Sequence, residues 1–122
     1  MGLKTNEQNS EFSAMATQTG ATTAADRDIF ASGPGTIRAI FAKNTDGSTL
    51  HYLKVYDSKE PNMGTTEPEF ILELGTSITT TVYCNPGIVC ATGVSVSAGT
   101  GAGHTNGSNP GSTEVPYTIY GA

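Results

Sequence analysis

The chain has 122 residues, and Thr, Ser, Gly and Asn supply 51 of them while Leu, Ile, Val and Phe supply only 22. Disorder needs a high net charge as well as few apolar residues, and the charge here is only −5, so one small domain with a thin core is expected. No apolar run approaches the roughly 18–20 residues of a membrane-spanning helix, six unclustered Lys and Arg argue against nucleic acid as a direct partner, and a lead-in with one Lys and no apolar stretch does not read as a signal peptide.

Residues 1–25 form a polar lead-in whose large apolar residues, Leu3, Phe12 and Met15, share no period. It reads either as a tail or as an extended arm that orders against a neighbouring subunit, with Phe12 as anchor. A β domain is expected over 26–122. Strands are predicted at 27–32, 35–43, 50–57, 68–74, 76–83, 88–98 and 114–120, because short β-branched and aromatic runs alternate with Gly, Pro, Asn and Asp. Gly33-Pro34-Gly35, Asn44-Thr45-Asp46-Gly47 and Asn85-Pro86-Gly87 carry the turn chemistry between them. About seven short strands without a capped helical pattern predict an all-β, antiparallel sandwich of jelly-roll or immunoglobulin-like type.

Alternation assigns the faces. Phe70, Leu72 and Leu74 oppose Glu69, Ile71 and Glu73; Leu53 and Val55 oppose Tyr52, Lys54 and Tyr56; Val94 and Val96 oppose Ser95 and Ser97. Each sheet is therefore expected to have one dry and one wet side. Residues 99–113 contain no large apolar side chain and are expected to form an exposed hairpin tip.

Catalytic constellations fail on spacing. Gly93-Val94-Ser95-Val96-Ser97 lacks the final Gly of a nucleophile elbow and lies in an alternating strand. Gly99-Thr100-Gly101-Ala102-Gly103-His104 has His where a dinucleotide fingerprint needs Gly, with no helix after it. His51 and His104 share no ligand-spaced partner. Glu69 and Glu73 are separated by roughly 13 Å along an extended strand, beyond the ~5–9.5 Å of paired glycosidase carboxylates. If Asn85-Pro86-Gly87-Ile88 is a tight turn, Cys84 and Cys90 face opposite ways and cannot bridge; a wider loop would set them opposite each other, and reduced thiols are expected. No enzyme activity, metal or cofactor is expected, and binding or assembly is the better class.

The segments Tyr52-Leu53-Lys54-Val55-Tyr56-Asp57, Met63-Gly64-Thr65-Thr66-Glu67-Pro68 leading into Glu69-Phe70-Ile71-Leu72, and Gly87 through Val96 recur in an order that resembles a family of small structural proteins of tailed phages, including cyanophages. A final strand ending Tyr117-Thr118-Ile119-Tyr120 completes the pattern, which covers roughly residues 35–120. Cys84-Asn85-Pro86 departs from the Phe-Pro of that family, and the long lead-in is unusual for it. The resemblance implies a β-sandwich virion component made in the host cytoplasm. In that reading it is a homotrimeric capsid decoration (cement) protein on the outside of the head. Its partners would be copies of itself and the major capsid protein, with no nucleic acid or membrane. Contact residues expected on this reading are Phe12, Met15, Ile29, Phe30, Tyr52, Tyr56, Tyr117 and Tyr120. The alternative is a tail or baseplate module binding host glycan, for which the absence of Trp and of aromatics in the long loop is unfavourable.

Overall fold

The computed structural model describes residues 29, 34–62, 65–101 and 115–121, together with the backbone of 14–18. It is all-β, with seven strands in two antiparallel sheets and no helix among the described residues. The strands are β1 (Ala14–Gln18), β2 (Gly35–Lys43), β3 (His51–Asp57), β4 (Phe70–Leu74), β5 (Thr79–Cys90), β6 (Val94–Gly99) and β7 (Tyr117–Gly121). One sheet has the order β1-β7-β2-β5 and the other β4-β3-β6. Only the β3–β4 connection stays within a sheet between neighbours; the links β2–β3, β4–β5, β5–β6 and β6–β7 all pass from one sheet to the other. Such crossing forces the inner faces together.

The core follows the alternation except in β2, where a register shift at Arg38 turns both Ile37 and Ile40 inward. Ile37, Ile40 and Ala42 of β2 meet Leu53 and Val55 of β3, Leu74 of β4, Cys90 of β5, Val94, Val96 and Ala98 of β6, and Val115, Tyr117 and Ile119 near β7. Phe70, Leu72, Val82, Cys84 and Ile88 pack against this cluster from its margin. Most of these residues are β-branched or small, which suits the ~10 Å gap between packed sheets. Each fully buried Val, Leu or Ile contributes about 1.5–3 kcal/mol relative to exposure.

Several sequence expectations change. Asn85-Pro86-Gly87 is not a turn between two strands: β5 runs unbroken from Thr79 to Cys90, and the chain reverses at 91–93 instead. The register explains the misreading. Ile37 pairs with Ile88 and Ala39 with Tyr83, so the four residues Cys84–Gly87 stand opposite Arg38 alone. This is a bulge, and Gly, Pro and Asn serve bulges as readily as turns. A Cβ at Gly87 would collide with Thr36 Cγ2 and lie 2.7 Å from the Ile37 carbonyl, so only Gly lets β5 pass that close. With the turn gone, Cys84 and Cys90 lie on one strand, both turned toward the core, as free thiols.

The lead-in is not uniformly outside the sheet, because β1 pairs antiparallel with β7, from Ala14↔Gly121 to Gln18↔Tyr117. Of the expected strand 27–32 only Ile29 is described; it lies in a turn, half-buried, with its N–H donating to the Val94 carbonyl at 2.8 Å. Of the loop 99–113, Gly99 ends β6 and Gly101 is buried, while 102–113 fall outside the described residues.

Candidate functional site

The two outer faces differ from the wet surfaces expected of them. On the three-stranded sheet, Lys54 and Tyr56 are each 3% exposed and Ser95 is 0% exposed, so β3 is covered on both sides. This corrects the reading of Lys54, Tyr56 and Ser95 as a wet face. The polar groups there are engaged: Tyr56 Oη and Ser97 Oγ lie 3.3 Å apart, and Ser95 Oγ donates to the Ser58 carbonyl at 2.6 Å. Ser95 is thereby sequestered. Desolvation lowers the Lys54 ammonium below its ordinary value.

The end of this sheet is held by Asp57. Its carboxylate accepts the N–H groups of Thr92 at 2.7 Å, Ala91 at 3.0 Å and Gly93 at 3.3 Å, where β5 turns into β6. Burial opposes ionisation of Asp57, and the three amides together outweigh it, leaving the carboxyl below the ordinary carboxylate value. Gly93 is required there, since a Cβ would lie 2.7 Å from the Lys59 side chain and 3.2 Å from its amide nitrogen. Close by, the Thr65 and Thr66 amides donate to the Asn62 carbonyl, and the Asn62 amide donates to Thr66 Oγ1 at 2.8 Å. The Glu69 amide reaches the Val55 carbonyl at 2.8 Å.

At the opposite end of the sheet, fully buried Asn44 donates from Nδ2 to the Thr49 and Leu74 carbonyls and accepts the Asp46 amide on Oδ1. Asp46 accepts the Ser48 amide and hydroxyl, the Thr49 amide, and Nε2 of His51 at 3.2 Å. The Ser48 bonds foremost draw its pKa down to about 2. This is a built turn, as the Asn-Thr-Asp-Gly sequence suggests. Among the described residues no three His, Cys, Asp or Glu gather as a metal site.

The outer face of the four-stranded sheet is of another kind. Register places Phe41 beside Thr81 and Thr118, and Ala39 between Tyr83 and Tyr120. Phe41 meets Tyr83 edge-on at 6.0 Å and Tyr120 edge-on at 5.4 Å. Tyr83 is 74% exposed and Val89 on the same strand 69%. Beside them an open depression of about 220 Å³ lies between Phe41, Lys43, Thr79, Pro116 and Thr118. Three aromatic rings from three strands thus share one hydroxyl-lined face, on which Tyr83 is exposed.

The expected contact residues divide accordingly. Tyr120 joins the aromatic cluster, and Met15 pairs with it through β1. Tyr52 is half-buried on β3, Tyr56 and Tyr117 are buried within the chain, and Ile29 packs against the core. Phe12 and Phe30 lie outside the described residues. Phe41 and Tyr83 were missed; the available signal was that each falls on the outward phase of its strand, opposite Ile40 and Val82. The thiols are poor nucleophiles, because burial raises Cys84 and burial with the charges of Asp57 and Glu69 pushes Cys90 up to about 11.

No protein-family model, curated protein or solved structure matches this chain. Fold and surface therefore define the class as far as an all-β, two-sheet domain with an exposed aromatic face.

Proposed function

We propose that this protein is a structural component of a tailed-phage virion, a homotrimeric decoration protein. It binds the capsid exterior and stabilises contacts between major capsid subunits. The supporting observation is that parts of three of the segments carrying the family resemblance lie at one end of the three-stranded sheet. Asp57, closing Tyr52–Asp57, holds the amides of Ala91, Thr92 and Gly93, while Thr65 and Thr66 close on Asn62 ahead of β4. Asp57, Thr65, Thr66 and the amides of Ala91, Thr92 and Gly93 thus share in shaping that end. A thin-cored chain that leaves Tyr83 and Val89 open also gains stability from partners. The reading is tested by mixing purified protein with undecorated heads and sedimenting them. Saturable, stoichiometric co-sedimentation is expected; its absence overturns the proposal.

One observation favours a second reading, a tail or baseplate module that binds glycan. Phe41, Tyr83 and Tyr120 with Thr79, Thr81 and Thr118 supply the ring and hydroxyl surface that sugars stack on and bond to. A glycan array separates the two: signal lost in Tyr83→Ala supports the module, and no signal removes it.

A further inference from the structure

The same sheet has an edge with no partner strand among the described residues. In the order β1-β7-β2-β5, β5 has a single neighbour among the described residues, so one side of its backbone lacks a sheet partner there. Natural sheets protect such edges with Lys, Pro, bulges or inward charges. The stretch Thr79-Thr80-Thr81-Val82-Tyr83 carries none of these; Pro86 and the bulge come only after it. Thr79, Thr81 and Tyr83 are exposed, and Thr80 and Val82 half-exposed.

We propose that two copies of this chain associate by pairing their β5 edges antiparallel about a two-fold axis at Thr81, joining two four-stranded sheets into one. The segment is self-complementary in that register. Thr81 meets Thr81 of the second copy, Thr80 meets its Val82, and Thr79 meets its Tyr83, with no charge facing a like charge. The rows of the outer face then complete themselves. Lys43 stands opposite Thr79 within one copy, which sets it two strand spacings, about 10 Å, from Tyr83 of the second copy. Small Thr79 lies between them, so the lysine stem crosses it and its ammonium reaches the ring face as a cation–π contact. Phe41 holds that ring from the other side at 6.0 Å. The two-fold repeats the contact, and Tyr83, the most exposed large apolar side chain among the described residues, becomes covered. A foreign strand would fill the edge equally well, but only a second copy in this register also brings Lys43 to Tyr83.

The inference concerns head-free protein and stands apart from capsid binding, so failure to decorate heads does not touch it. Thr81→Cys is placed on the two-fold, where antiparallel neighbours lie about 4.5–5.5 Å apart and suit a disulfide. With oxidised glutathione as acceptor, Thr81→Cys is expected to give a covalent two-copy band. Wild type, and Lys59→Cys as an exposed control, should not. In the second arm, Thr81→Lys sets like charges directly opposite and should weaken self-association about tenfold or more while circular dichroism stays unchanged. Masses in solution should be even multiples of the chain, two copies or a pair of trimers. Equal cross-linking of Thr81→Cys and the control overturns the proposal, as does an odd stoichiometry alone at every concentration or self-association unaltered by Thr81→Lys.

Discussion

The outer faces of the two sheets invert what their residues suggest. The face built from Lys54, Tyr56, Ser95 and Ser97 is polar, yet Lys54, Tyr56 and Ser95 are buried and the hydroxyls are engaged. The face built from Phe41, Tyr83, Val89 and Tyr120 is aromatic and aliphatic, yet Tyr83 and Val89 stand in the open. Polar groups can be covered when each finds a partner, whereas apolar groups left exposed point to burial elsewhere. The closed side thus engages its polar groups within the chain, while the open side leaves Tyr83 and Val89 exposed.

The contrast can be broken by substitution. The largest effect is expected from Asn44→Ala at the closed sheet's end. It removes three hydrogen bonds of a fully buried side chain, leaves the Leu74 carbonyl without that donor, and should cost about 3 kcal/mol in urea unfolding. A smaller loss follows from Asp57→Asn, where three amides lose a charged acceptor. Here pH gives the sharper test. Asp57 and Asp46 both titrate lower in the folded chain than the ordinary 3.8. Each therefore stabilises the fold fully above that value and loses the contribution as acid protonates the folded form, for Asp46 down to about 2. Asp57→Asn should flatten the acid limb of a stability-against-pH curve and leave Asp46→Asn to remove a further part. The least effect is expected on the open side: Tyr83→Ser should shift monomer stability by less than about 0.5 kcal/mol in the same titration. A loss as large as that of Asn44→Ala would end the distinction between the faces.

Much of the fold was legible locally. The expected span 35–43 coincides with β2, and the inward residues of β4 and β6 follow directly from period two; in β2 the register shift at Arg38, invisible in the sequence, turns both Ile37 and Ile40 inward. Asn85-Pro86-Gly87 was misread because turn and bulge draw on the same residues; only the pairing with β2, more than forty positions earlier, decides between them. Lys54 was misread because alternation states which way a side chain points and not what lies over it. The outward phase of Phe41 and Tyr83 is legible on each strand taken singly, but their meeting is not, since Phe41, Tyr83 and Tyr120 come together only through the order β7-β2-β5.

The pairing of β1 with β7 bears on mechanics. Ala14 lies opposite Gly121, so the chain leaves the sheet at the same corner in both directions. A pull applied to both flanks loads the β1–β7 ladder one rung at a time rather than in shear. The first strand peels away at low force, while β7, flanked by β2, stays seated. Tension between two anchors would thus lengthen the tether before it disturbed the sandwich.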